Sequence, residues 1–183
     1  MNINNVLKAI TAILFLPLNA FSEELGPITI GDVEMKADLK SEAFEHVGEK
    51  IGKWEGRMTQ GLTGEVFDVS YEYKLTSGGN TITEAIVEDG VEMLTTYSDE
   101  DGELVVRHYC APGTEPVFKV SQASEDVVTI ELDNARSNLH KAHDSFVTGM
   151  TWTMTSQDSM AFENTVMLDG ELTKNKAALR RVN

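Results

Sequence analysis

From residue 52 onward the chain alternates apolar and polar positions almost without interruption. The clearest run sets Phe67, Val69, Tyr71, Tyr73 and Leu75 against Asp68, Ser70, Glu72, Lys74 and Thr76, the period of two that marks a half-buried antiparallel strand. Similar runs are predicted at 53–60, 81–87, 93–97, 103–110, 117–122, 127–132, 146–155, 161–168 and 171–180. Short turn signals separate several of them: Ser77-Gly78-Gly79-Asn80, Asp89-Gly90, Asp101-Gly102 and Asp169-Gly170, the chemistry that tight hairpins require. Within 146–155, Phe146, Thr148, Met150, Trp152 and Met154 form a bulky face opposite the smaller Val147, Gly149, Thr151, Thr153 and Thr155.

About ten strands at this spacing, with no crossover helices between them, exclude parallel βαβ units and indicate an all-β fold. An up-and-down antiparallel β-barrel is preferred to a sandwich, because the hairpins follow one another directly and closure removes both sheet edges. A barrel of more than about eight strands has an interior that its own side chains need not fill.

Before the strands the period is different. Leu39, Ala43, Phe44, Val47 and Ile51 recur at helical spacing, with Lys40, Glu42, Glu45 and Glu49 elsewhere around the turn. One short amphipathic helix is therefore predicted within 37–51, ended by Gly52. Residues 23–36 show no steady period and read as an N-terminal arm. At the start, Lys8 precedes the apolar stretch 9–18, and Ala20-Phe21-Ser22 has the small-x-small form of a cleavage site. That pattern predicts a signal peptide over 1–22, its apolar run too short for a membrane span of roughly 20 apolar residues. The expected organisation is a signal peptide (1–22), an arm (23–36) and one barrel domain (37–183), periplasmic or secreted, with no membrane insertion after signal removal.

Charge narrows the partners. Without residues 1–22 the chain has 14 Lys and Arg against 30 Asp and Glu, so nucleic acid and anionic lipid, which need basic patches, are disfavoured. The remaining small-molecule partner would be hydrophobic or amphipathic; no cofactor is indicated, and the pattern leaves the oligomeric state open. Cys110 is the single cysteine, so no intramolecular disulfide framework can form.

Candidate chemistry concentrates in the hairpin 97–112, where Leu104, Val106, His108 and Cys110 share one face. A histidine and the lone cysteine, about 7 Å apart on one strand, would then face the interior. As ligands of one metal they need further partners, and His140 and His143 are the candidates in the loop 134–143. As a thiol nucleophile, Cys110 would need activation by His108. As pocket lining, both would orient a guest. Trp54, Met58, Tyr71, Tyr73, Met93, Tyr97, Met150, Trp152 and Met154 are assigned to the inward faces. Of these, Trp54, Tyr71, Tyr73, Tyr97 and Trp152, with His108 and Cys110, are the expected ligand-binding set, since small-molecule sites are mostly apolar with a few placed polar groups. Binding is favoured over catalysis. A ligand-free structural domain is the other reading. Asp99-Glu100-Asp101-Gly102-Glu103 is too short for an EF-hand and reads as a solvated turn, and Lys174, Lys176, Arg180 and Arg181 as a charged strand edge.

The segments Gly52-Lys53-Trp54-Glu55-Gly56, Met93-Leu94-Thr95-Thr96-Tyr97 and Leu104-Val105-Val106-Arg107-His108-Tyr109-Cys110-Ala111, with the run from His140 through Trp152 to Arg181, resemble uncharacterised bacterial proteins related to the DUF1579 group. Those are similar to lipocalin-like, calycin-type barrels. The resemblance implies a barrel closed at one end by a helix and suited to a small apolar guest, with no catalytic set to carry over. The Gly-x-Trp-x-Gly start also resembles haem-binding barrels of the nitrobindin type. Those use a histidine near the carboxy terminus, and residues 160–183 here contain none. Metal or haem binding, or thiol catalysis, through His108 and Cys110 stands as the alternative.

Overall fold

In the computed structural model, residues 28–35, 39–139 and 143–182 are described. The expected signal peptide and His140 lie outside them. Ten antiparallel strands close into one barrel: β3 (Gly52–Thr59), β4 (Val66–Thr76), β5 (Thr81–Glu88), β6 (Val91–Glu100), β7 (Glu103–Tyr109), β8 (Val117–Ala123), β9 (Val127–Leu132), β10 (Phe146–Ser156), β11 (Ser159–Leu168) and β12 (Glu171–Val182). Each strand pairs with its sequence neighbours, and β12 returns to pair with β3. The predicted all-β, up-and-down barrel is the observed architecture.

Local chemistry explains the connections. At Asp89-Gly90, Asp101-Gly102 and Asp169-Gly170 both turn residues have positive φ, between 48° and 82°, the backbone that matches the twist of a two-residue hairpin. At the closing seam Gly56 faces Leu179. A Cβ there would lie 2.1 Å from the Ala178 carbonyl oxygen, so the close approach of β3 and β12 depends on glycine.

Two parts of the amino-terminal region differ from the pattern-based reading. Residues 28–35 of the expected arm form a two-stranded hairpin, β1 (Ile28–Ile30) with β2 (Val33–Met35), outside the barrel sheet. The helix α1 spans only Glu42–Gly48. Ser41 is its N-cap: the Ser41 Oγ accepts the Phe44 N–H at 3.1 Å, which satisfies a free helix-terminal donor and starts the helix there. Leu39, assigned to the helix face, therefore precedes the helix and is exposed. Phe44 and Val47 are buried, and α1 packs over the ends of β6, β7, β8 and β9.

Asp99, expected to belong to a solvated turn, anchors this helix. Its carboxylate accepts the Ser41 N–H at 2.6 Å and the Ser41 hydroxyl at 2.7 Å. Arg181 holds the other end, donating to the Ile51 and Glu49 carbonyls at 2.6 and 3.0 Å, with its guanidinium over the Trp54 ring. β12 is thus no charged edge: both its sides are paired, and its last arginine clamps the helix to the barrel.

The core fills the barrel. Trp54, Met58, Tyr71, Tyr73, Tyr97, Met150 and Trp152 are buried as assigned, while Met93 and Met154 are partly buried against the same core. In β10 a bulge between Val147 and Gly149 shifts the alternation. Val147 joins Met150 in the core, and Phe146, on the bulky face of the pattern, is only half-buried. An extra residue in one strand reverses the facing of everything on one side of it.

Candidate functional site

Placing Tyr73, Glu84, Thr95 and His108 inside the barrel follows from simple register. Tyr73 on β4 lies directly opposite Glu84 on β5, Glu84 opposite Thr95 on β6, and Thr95 opposite His108 on β7. Four consecutive strands therefore contribute one residue each to a single polar row across an apolar wall, and all four are buried. Side chains directly opposite on one face are close enough to bond.

The row is hydrogen-bonded at both ends. The Glu84 carboxylate accepts the Tyr73 hydroxyl at 2.5 Å and the Tyr97 hydroxyl at 2.6 Å, one on each oxygen. The Thr95 hydroxyl acts on the same carboxyl group and lies 2.9 Å from His108 Nδ1. A hydroxyl has one hydrogen to give. Thr95 and His108 Nδ1 therefore share one hydrogen bond whose direction follows the imidazole tautomer.

Lys50 completes the cluster from above. It follows α1, is only 2% exposed, and its ammonium stands 5.3 Å from the centroid of the Trp152 ring. Its backbone carbonyl accepts the Trp54 indole N–H at 2.8 Å. Burial lowers the Lys50 pKa to about 8, against the opposing pull of Glu84 and Glu49. Burial likewise pushes the Glu84 carboxyl up, while the Tyr73, Tyr97 and Thr95 donors and Lys50 hold it down. The same burial, reinforced by the Glu84 charge, places the Tyr73 and Tyr97 hydroxyls well above the ordinary phenol range, so both remain donors.

Aromatic rings form a continuous chain beside the cluster. Tyr73 neighbours Tyr97 at 6.3 Å, Tyr97 neighbours Trp152 at 6.1 Å, Trp152 neighbours Phe162 at 5.6 Å, and Phe162 neighbours Tyr71 at 5.5 Å. These are the separations at which rings attract edge-on or tilted. The Trp152 indole N–H is buried without a full hydrogen bond and acts weakly on the Tyr73 hydroxyl.

Of the seven residues expected to bind a ligand, Trp54, Tyr73, Tyr97 and Trp152 meet around Lys50 and Glu84, and His108 ends the polar row. Tyr71 reaches the other way, donating to Glu88 at 2.8 Å. Cys110 lies just past β7, half-buried, where its N–H bonds the Thr114 carbonyl. Burial raises both the Glu88 carboxyl and the Cys110 thiol. Among the described residues no three His, Cys, Asp or Glu side chains converge as metal ligands. His108 is held neutral, its pKa lowered by burial to about 4, and its Nδ1 is paired with Thr95 and not with Cys110.

Sequence reasoning missed Glu84 and Lys50, the two charged members. A signal for Glu84 was present: it interrupts Ile82 and Ile86 on one strand face. Lys50 had none, because the last turn after a helix normally reaches solvent.

The described interior is occupied by side chains. Two open hollows lie on the outer wall, one beside Gly149, Thr151, Glu163 and Lys174, the other beside Arg57, Glu65 and Asp68.

No family model matches the chain, and no curated protein matches it in sequence. Among solved structures it is similar to a protein of unknown function from the DUF3598 family of Nostoc punctiforme, with a TM-score of 0.55 and 11% identity over 74% of this chain. The match spans 49% of that protein, so this chain corresponds to about half of its length. Lower in similarity are a redesigned β-barrel, with a TM-score of 0.38 and 15% identity over 80% of this chain and 100% of that one, and a designed barrel bound to DFHBI, with a TM-score of 0.41 and 14% identity over 76% and 99%. At 11% identity, the likeness to the DUF3598 protein is one of fold: a closed antiparallel β-barrel.

Proposed function

We propose that this chain is an exported, lipocalin-like barrel of the DUF1579-related kind that binds a small amphipathic molecule at the mouth covered by α1. The observation that carries the reading is the buried cluster of Glu84, Tyr73, Tyr97 and Lys50. Burying a carboxylate and an ammonium costs several kcal/mol per ion before partners compensate, and a barrel core could be filled by apolar residues at no such cost. Such groups placed inside a small protein mark a candidate recognition site.

On this reading the polar end of the guest meets Glu84, Lys50 and the two tyrosine hydroxyls, and its apolar body lies against Trp152, Trp54 and Tyr97. Phe44 and Val47 of α1 are buried at this mouth, and on this reading α1 lifts from its Ser41 and Arg181 anchors to admit the guest. The raised thiol of Cys110 and the neutral ring of His108 favour binding over thiol catalysis.

Native mass spectrometry of protein recovered from the periplasm is expected to show a co-purified small molecule, and the first residue of the mature chain is expected to be Glu23. His108→Leu, which breaks the row at Thr95, should stay folded and bind about tenfold more weakly, the loss of one hydrogen bond in a buried network. A protein that carries nothing, and whose unfolding temperature is unmoved by a panel of apolar acids, amines and alcohols, would remove the binding reading.

A further inference from the structure

We propose that Lys50 captures a small, flat aldehyde, aromatic or conjugated, as a covalent imine at the α1 mouth. The inference rests on the binding reading above and names the chemical class of the guest.

Three features of the geometry lead there. First, Lys50 is the buried amine of the cluster, and among the described residues it makes no direct ion pair; its head faces the Trp152 ring instead of a carboxylate oxygen. An amine in a desolvated site keeps a larger share of its neutral, nucleophilic form than one in water. Second, the amine is bordered by rings: Trp152 lies under it, Tyr97 packs on Trp152 and Tyr73 on Tyr97, surroundings that suit a planar guest. Third, Glu84 acts on the amine through its charge, and both its oxygens are already oriented by tyrosine hydroxyls. It supplies a fixed negative charge for the cation that forms.

The step balances without an oxidant or reductant. The neutral Lys50 Nζ attacks the carbonyl carbon, and a carbinolamine forms. The carbonyl oxygen then leaves as water, carrying the two hydrogens lost by the amine, and a C=N bond replaces C=O. Uptake of one proton gives the protonated imine, whose positive charge takes the place of the ammonium opposite Glu84. The net charge of the site is unchanged. Glu84 is the group that passes protons during water loss, since its carboxyl is raised by burial and so exchanges a proton more readily than an exposed one.

Cinnamaldehyde with sodium cyanoborohydride, which reduces an imine to a stable secondary amine, tests this on the purified chain. Peptide mass mapping should place the adduct on Lys50 about tenfold more heavily than on exposed Lys53, Lys74 or Lys119. A pKa near 8 leaves on the order of a hundred times more free amine at pH 8 than an ordinary lysine has, and restricted access offsets part of that. Lys50→Met should abolish the site-specific adduct; Lys50→Arg keeps the charge, cannot form an imine, and controls for any loss of folding in Lys50→Met. Labelling spread over surface lysines without preference for Lys50 would overturn the proposal. Cinnamyl alcohol separates the two readings: if it raises the unfolding temperature while Lys50 stays unlabelled by the aldehyde, binding stands and covalent capture falls.

Discussion

At the scale of single residues, His108 shows how burial turns a side chain into a pH-sensitive part of the fold. Its ring is neutral in the native barrel, with a pKa lowered by burial to about 4, against an ordinary value of 6.5. Between those two values the unfolded chain binds a proton that the native chain refuses, so stability from this group is lost as the pH falls from 6.5 toward 4. The full extent is on the order of 3 kcal/mol. Glu84 and Glu88 act in the opposite sense. Their folded pKa values are raised, so the cost of burying their charge is present above the folded pKa and relieved as pH falls through it. The comparison with His108→Gln isolates the imidazole. Urea unfolding at intervals from pH 7 to pH 4 is expected to show a shallower acid loss in the variant than in the parent, and parallel curves would contradict a buried neutral ring.

Among the elements, the seam between β3 and β12 decides whether ten strands make a barrel or an open sheet. Gly56 is the narrow point, because an added methyl would meet the Ala178 carbonyl oxygen at 2.1 Å and the Leu179 side chain at 2.9 Å. Backbone cannot yield as a flexible side chain does, so Gly56→Ala is expected to cost roughly 3 kcal/mol or more. Gly48→Ala is the control. It sits in α1 with open space around its Cβ, and alanine there should be neutral or stabilising by up to about 1 kcal/mol. Similar urea midpoints for the two variants would show that closure does not depend on that contact. The helix follows the same logic of few, placed contacts: Ser41 starts it, Asp99 fixes its beginning and Arg181 its end. A seven-residue helix is too short to be stable by itself, so α1 exists because the barrel holds it.

For the molecule as a whole, closure makes the strands interdependent. Every barrel strand is paired on both sides, and the aromatic core links β4, β6, β10 and β11 through contacts of Tyr71, Tyr73, Tyr97, Trp152 and Phe162. Both tryptophans are buried at the α1 end, Trp54 at 0% and Trp152 at 1% exposure. Their emission should be blue-shifted in the native protein and should move red in the same denaturant transition that removes the far-ultraviolet β signal. A tryptophan transition at lower denaturant, ahead of the β signal, would instead mark the α1 mouth as a separately unfolding unit.

The alternation of residues carried the strand count, the hairpin turns and the inward assignment of Trp54, Tyr71, Tyr73, Tyr97, His108 and Trp152, because facing in a strand is a local property with a period of two. The Asp-Gly pairs carried the turns, because positive φ at both positions is likewise local. What alternation could not carry was register between strands. Only the closed sheet sets Tyr73, Glu84, Thr95 and His108 opposite one another, and only the return of β12 to β3 brings Arg181 onto the helix and its neighbour Trp54. The buried carboxylate and ammonium were invisible for the same reason. Whether a charged residue is solvated or enclosed depends on what lies beyond its own strand or helix, and for Glu84 and Lys50 that is decided by residues distant in sequence.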